Sequence, residues 1–212
     1  MDYLQDPAAI YAQSFATIRQ EVDFSKLPTD IAAIAERMIH ASGMVDLLDD
    51  LAFSHDVARA ASAALAGGYP VIADCEMVRS GIIGAFLLPE TAVLCFLNDA
   101  RVPVLARERK TTRSAAQTAL WQPHLAGSVV VIGNAPTALF ALLEAIDRGG
   151  PKPAAIVAAP VGFVGAAESK AELAGHPRGI PFLTLQGRRG GSAMAASALN
   201  AIAKGLHDKV AA

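Results

Sequence analysis

Residues 128–162 read SVVVIGNAPTALFALLEAIDRGGPKPAAIVAAPVG, and this stretch decides the fold. Ser128 to Ile132 is a short apolar run of strand type, and Gly133-Asn134-Ala135-Pro136 is a turn. Thr137 to Asp147 has helical spacing, and Ala154 to Ala158 is a second apolar run. Toward the C-terminus the pattern repeats: a turn at Pro160 to Gly165, a helix through Leu173, a strand at Pro181 to Leu185, a turn at Gly187 to Gly191 and a helix from Ser192 to Ala203. Toward the N-terminus, Val71-Ile72-Ala73 is a buried-strand run ending on Asp74-Cys75-Glu76. Val93 to Leu97 is a strand stopped by Asn98-Asp99, and Thr111 to Trp121 returns to helical spacing. The first third reads as helices over Ile10 to Val22, from Pro28-Thr29-Asp30 to Ser42-Gly43, and over Asp56 to Ala66.

Short apolar strands alternating with helices call for an α/β fold: a mostly parallel sheet sandwiched between helices, in three α/β/α layers. One domain over residues 1–212 is expected, with a mainly helical part over 1–68, an α/β part over 69–205 and a flexible tail over 206–212. Right-handed crossovers put the three glycine-bearing turns at one edge, the carboxyl edge of the sheet, where open α/β sheets bind ligands.

Of the 212 residues, 53% are hydrophobic, 6% aromatic and 18% charged. Average globular chains carry about 25% charged residues, so apolar surface buried against a second subunit is expected. The hydrophobicity excludes a disordered chain. A net charge of −2 gives no basic footprint for nucleic acid. Cys75 and Cys95 have no metal-ligand spacing and read as reduced core thiols. The acidic start lacks the basic flank and apolar run of a signal peptide. Gly133 to Thr137 breaks the longest uncharged run, Leu125 to Leu143, in its middle. A cytoplasmic protein with no membrane association is expected.

Exposed N–H groups and helix starts at three turns of one edge are anion-binding material, and Arg188 and Arg189 add planar donors suited to carboxylate or phosphate. The nucleotide fingerprints are absent: Gly133 to Pro136 is not G-x-G-x-x-G, and Gly187 to Ser192 has no G-K-[ST] ending. Among the histidines, His55 reads as a surface residue, His124 and His176 as loop residues and His207 as part of the tail. No pair has the spacing of a zinc site, and there is no G-x-S-x-G elbow. His40 stands apart. It lies opposite the apolar stripe Ile31, Ile34, Ala35 and Met38, three residues after Arg37, in the last turn of its helix, where the dipole favours a cation. Such a histidine suits proton delivery to an anionic substrate.

At Arg37-Met38-Ile39-His40-Ala41-Ser42-Gly43 the sequence resembles the precorrin-8X methylmutase family of cobalamin biosynthesis. The resemblance runs over nearly the whole chain, through Ile10 to Phe15, Asp74 to Val78, Thr112 to Ala116, Gly133 to Leu139, Pro160 to Lys170 and Gly190-Gly191-Ser192. It implies an isomerase that moves a methyl group from C-11 to C-12 of the tetrapyrrole precorrin-8X, giving hydrogenobyrinate, with no cofactor and no metal. It places the proton donor/acceptor at His40, and substrate contacts at Ser14, Arg37, Arg113, Asn134 and Ser192. It further implies a homodimer with sites near the subunit interface, and allows product hand-off to the next enzyme. At Ile83-Gly84 the family leads one to expect a more polar residue, so no contact is carried over there. Two alternatives stay open: a non-catalytic corrinoid carrier, and action on the cobalt-containing form of the substrate.

Overall fold

The structure, a computed structural model, describes residue 1 and residues 3–210. Helix α1 (Pro7–Glu21) starts at Asp6, whose carboxylate accepts the Ala9 N–H at 2.9 Å and so satisfies one orphan donor of the first turn. Helix α2 (Thr29–Ser42) ends on Gly43 at φ 70°, a left-handed cap that costs a residue without Cβ little. A 3-10 turn, Val45–Asp50, leads into β1 (Leu51–Phe53), α3 (Val57–Ala66) and β2 (Val71–Ala73). There follow α4 (Glu76–Gly81), a second 3-10 turn (Gly84–Phe86), β3 (Val93–Leu94), α5 (Val102–Glu108), α6 (Arg113–Ala116) and α7 (Thr118–Leu125). The regular part then runs β4 (Val129–Ile132), α8 (Pro136–Asp147), β5 (Ala155–Ala158), α9 (Ala166–Gly175), β6 (Phe182–Leu185) and α10 (Ser192–Val210).

The strands form one sheet in the order β1-β6-β5-β4-β2-β3. All pairs are parallel except β1 with β6, where Leu51 faces Leu185 and Phe53 faces Leu183. Every residue of β2, β4, β5 and β6 is buried, because both faces are covered. Val129, Val131, Val157 and Leu183 point to a core shared with α2, α3 and α10, whereas Val130, Ile132, Ile156 and Phe182 point to one shared with α7, α8 and α9. This is the expected three-layer α/β/α arrangement with a mostly parallel sheet. No helix of the described residues is long and apolar enough to cross a membrane.

The structure departs from the sequence reading in several places. The mainly helical first part also contributes β1, a three-residue edge strand too short to show a period of two and formed only because β6 is there to pair with it. Helices α4 and α5 lie in the stretches between strand candidates, and Thr111 to Trp121 is divided between α6 and α7. His124 is in α7 rather than a loop, and His207 is in α10. Helix α10 continues past Ala203 to Val210, held through Leu199, Ile202, Ala203 and Leu206 against the core; residues 211 and 212 of the expected tail lie outside the described residues.

Candidate active site

The site begins with two helices. Tyr11, Ser14 and Phe15 share one face of α1, and Arg37 and His40 share one face of α2, since positions three and four apart are neighbours on a helix. These two faces meet. Ser14 Oγ lies 2.8 Å from His40 Nδ1, in a hydrogen bond whose direction follows the ring tautomer. The Phe15 ring stacks on the His40 imidazole, with centroids 4.8 Å apart at 28°, and Tyr11 packs on Phe15 at 4.5 Å. Arg37 donates to the Tyr11 hydroxyl oxygen at 2.5 Å. One turn away, Arg19 grips Glu36 through Nε at 2.5 Å and NH2 at 3.1 Å, pinning α1 to α2. His40 is thus held at one nitrogen and one ring face, and among the described residues its Nε2 has no hydrogen-bond partner.

His40 lines two cavities. The first, about 450 Å³, also takes in Ile10, Gln13, Ser14, Thr17 and Ile39. The second, about 250 Å³, lies between α2 and α10 and is lined by Arg37, Gly81, Ala193, Ser197 and Asn200. Asn200 is buried and spans the loop after α4: its amide donates to Gly81 O and its Oδ1 accepts from Ile83 N–H, both at 2.8 Å. Ile83 therefore contributes backbone rather than a polar side chain here. The cavity comes to lie beside His40 because the C-terminal end of α2 faces the N-terminal part of α10, which starts at the sheet's carboxyl edge.

At that edge the glycine turns do gather, but several of their amides are already engaged. The carboxylate of Asp74, fully buried at the end of β2, accepts the N–H groups of Gly133, Asn134 and Ala135 at 2.9, 3.0 and 2.9 Å. The first turn does bind an anion, and the anion is a side chain of the protein. Burial pushes the Asp74 carboxyl up from its ordinary value, and these three donors oppose that shift. Gln117 donates to Asp74 O at 2.7 Å, which ties the same point to α6 and α7. The second and third turns bind each other: Gly162 N–H donates to Arg188 O at 3.2 Å and Gly191 N–H to Ala159 O at 2.8 Å. Any Cβ at position 190 would collide with the Ala159 carbonyl oxygen, so glycine there serves backbone contact. Arg189 is likewise committed, to Asp46 at 2.7 Å and Asp50 at 2.5 Å, and the buried Lys170 donates to Arg189 O. Arg188 is stacked on the Phe163 ring, 5.2 Å from its centroid. The expectation of three amide-lined turns open to a ligand is corrected for the N–H groups of Gly133, Asn134, Ala135, Gly162 and Gly191 and for the Arg189 side chain, because neighbouring carboxylates and carbonyls satisfy them first.

The remaining sequence candidates divide. Ser14, Arg37 and His40 form one constellation. Asn134 and Ser192 form a second, around Asp74 and Cys75: the Asn134 N–H is held by Asp74, and Ser192 Oγ lies 3.5 Å from Cys75 Sγ. Gly133 and Ser192 approach so closely that a Cβ on the glycine would stand 2.7 Å from Ser192 Cα. Arg113 is exposed, bound to Leu97 O at 2.8 Å and Asn98 Oδ1 at 3.1 Å in the loop after β3. Tyr11, Phe15, Asn200 and Asp74 were not assigned to the site from the sequence. The 11, 14, 15 spacing on α1 was a visible signal, and so was the carboxylate of Asp74 at the end of a buried apolar strand; for Asn200 there was none. Burial raises both thiols above their ordinary value, Cys95 to about 11, as fits unreactive core cysteines.

A family model described as precorrin-8X methylmutase matches residues 9–205. The precorrin-8X methylmutase of Pseudomonas aeruginosa is 55% identical over 203 residues, covering 96% of this chain and 98% of that one. The cobalt-precorrin-8 methylmutase of Priestia megaterium is 35% identical over 197 residues, covering 92% and 87%. A crystal structure of the precorrin-8X methylmutase from Thermus thermophilus superimposes with a TM-score of 0.86 at 32% identity, over 95% of this chain and 97% of that one.

Proposed function

The chain belongs to the precorrin-8X methylmutase family, and on that premise we propose that it moves the methyl group of precorrin-8X from C-11 to C-12, giving hydrogenobyrinate. The observation that carries the reading is His40, held at Nδ1 by Ser14 and on one face by Phe15, beside two cavities and the cation of Arg37.

The reaction is an internal rearrangement. The C-11–methyl bond breaks as the C-12–methyl bond forms, and nothing is gained or lost overall. What the protein can add is one protonation state and one conformation of the ring. His40 gives a proton through Nε2 to a ring nitrogen as the methyl migrates and takes it back afterwards. Ser14 and Phe15 hold the imidazole in position, so Ser14 acts on the substrate through His40. Arg37 receives one of the acetate or propionate groups of the substrate. Asn134, Ser192 and Arg113 sit at or near the carboxyl edge of the sheet, where a macrocycle extending from the His40 cavities would meet them.

The higher identity to a relative named for precorrin-8X than to one named for the cobalt form supports the metal-free substrate. Two copies are proposed to associate. The support is the low charge content together with Phe163 and Val164, which stand 86% and 88% exposed in the loop after β5 at the same edge. A monomeric mass by light scattering would refute this.

The test of function is single-turnover absorbance with added precorrin-8X. Conversion of the chromophore to that of the rearranged ring supports an isomerase. Tight binding with an unchanged spectrum would make the protein a corrinoid carrier.

A further inference from the structure

Three cations stand along the α1, α2 and α10 surfaces around His40, and they differ in what neutralises them. Arg19 has Glu36 at 2.5 Å, and Lys204 has Asp208 at 2.7 Å. Arg37, between them, has no carboxylate within ion-pair reach among the described residues. Its guanidinium is positioned by neutral groups only: the Tyr11 hydroxyl at 2.5 Å, the Phe86 ring at 5.4 Å and the Tyr11 ring at 6.0 Å. A cation placed this way keeps its full charge for an incoming anion, which an internal ion pair would not allow.

The phenol has a second use. Its oxygen accepts from Arg37, so its own O–H is free to donate elsewhere, and among the described residues it has no acceptor. Tyr11 is 41% exposed. Guanidinium and phenol therefore present two kinds of donor side by side, the phenol exposed and the arginine half-buried on the lining of the smaller cavity, next to a histidine that is itself fixed. We infer that Tyr11 and Arg37 together form a carboxylate subsite, in which the anion takes N–H donors from Arg37 and the O–H of Tyr11. This inference rests on the methylmutase reading and names Tyr11 as a further substrate-binding residue of the same site.

The phenol also sets the direction of the guanidinium, so the two contributions are coupled. Tyr11→Phe keeps the ring against Phe15, His40 and Arg37 and removes only the hydroxyl. It should raise the Kd for hydrogenobyrinate, measured by equilibrium dialysis, about 5- to 10-fold. Arg37→Ala should raise it about 10- to 100-fold, and the double variant by less than the product of the two factors. Arg37→Lys keeps the charge without the planar fork, so there Tyr11→Phe should cost a smaller factor than in wild type, because only the direct O–H contact and not the orientation of the guanidinium is lost. A Kd within twofold of wild type in Tyr11→Phe, or single effects that multiply in the double variant, overturns the subsite. If wild type itself binds no hydrogenobyrinate and rearranges no precorrin-8X, it is the functional reading that fails. If wild type does both and Tyr11→Phe is unchanged, only the subsite fails.

Discussion

The His40 corner and the Asp74 turn lie at the same end of the molecule and use their polar groups in opposite ways. Asp74 is wholly buried, and its carboxylate is saturated by three backbone amides of the β4–α8 turn. At the other corner the polar groups are exposed or half-buried, each held by one partner and keeping one function spare: Nε2 of His40, the charge of Arg37, the O–H of Tyr11. A site for a polycarboxylated ring has to be unfinished until the ring arrives, whereas the element that frames it has to be finished beforehand. Glycine turns at a sheet edge do not by themselves say which of the two they are.

The largest effect expected from testing this contrast is at His40. His40→Ala should lower kcat for rearrangement by about 10³-fold, within the range for a lost general acid, with binding of hydrogenobyrinate still measurable. Retained activity would move the proton donor elsewhere and dissolve the contrast. Next comes Asp74→Asn, which sets an amide N–H₂ against backbone donors. It should destabilise the fold by about 3 kcal/mol, read as a lower urea midpoint, because buried donors lose their acceptor. An unchanged midpoint with weakened ligand binding would show that the turn is the ligand site after all. Ser14→Ala should then lower kcat about 10-fold and leave both Kd and the urea midpoint near wild type, since it frees the imidazole to rotate without removing it. A raised Kd with unchanged kcat would instead make Ser14 a direct substrate contact.

The effect that needs a change of pH to appear concerns Lys170, whose ammonium sits buried beneath the third turn with a pKa brought down to about 8 from 10.5. Between those values the unfolded chain holds more protons than the folded one, so this group makes stability rise with pH across that window. Below pH 8 the full cost of burying the charge remains. The unfolding free energy of wild type relative to that of Lys170→Met, read from urea curves, should therefore rise from pH 8 to pH 10.5, by no more than about 3 kcal/mol. A flat difference would mean that the amine is already neutral, or is charged at no cost, in the folded protein.

The strands and helices from Ser128 to Ala203 were legible because the buried parallel strands are uniformly apolar and the helices between them keep their period. Strand β1 was not, since three residues carry no periodicity and the segment becomes a strand only against β6. Within the site, His40 and Arg37 were legible from their place on the polar face of α2, and the resemblance to the methylmutase family singled them out. The sequence by itself determined the layers, the sheet edge at which the turns gather, and the residue types able to move a proton or hold a carboxylate. Only the tertiary structure decided which of those groups are spoken for. Asp74 is far from Gly133 along the chain, and Asp50 is far from Arg189, yet these carboxylates reach their donors once the strands align. Hydrogen bonding between distant segments depends on a few ångströms of approach, and no local pattern encodes it.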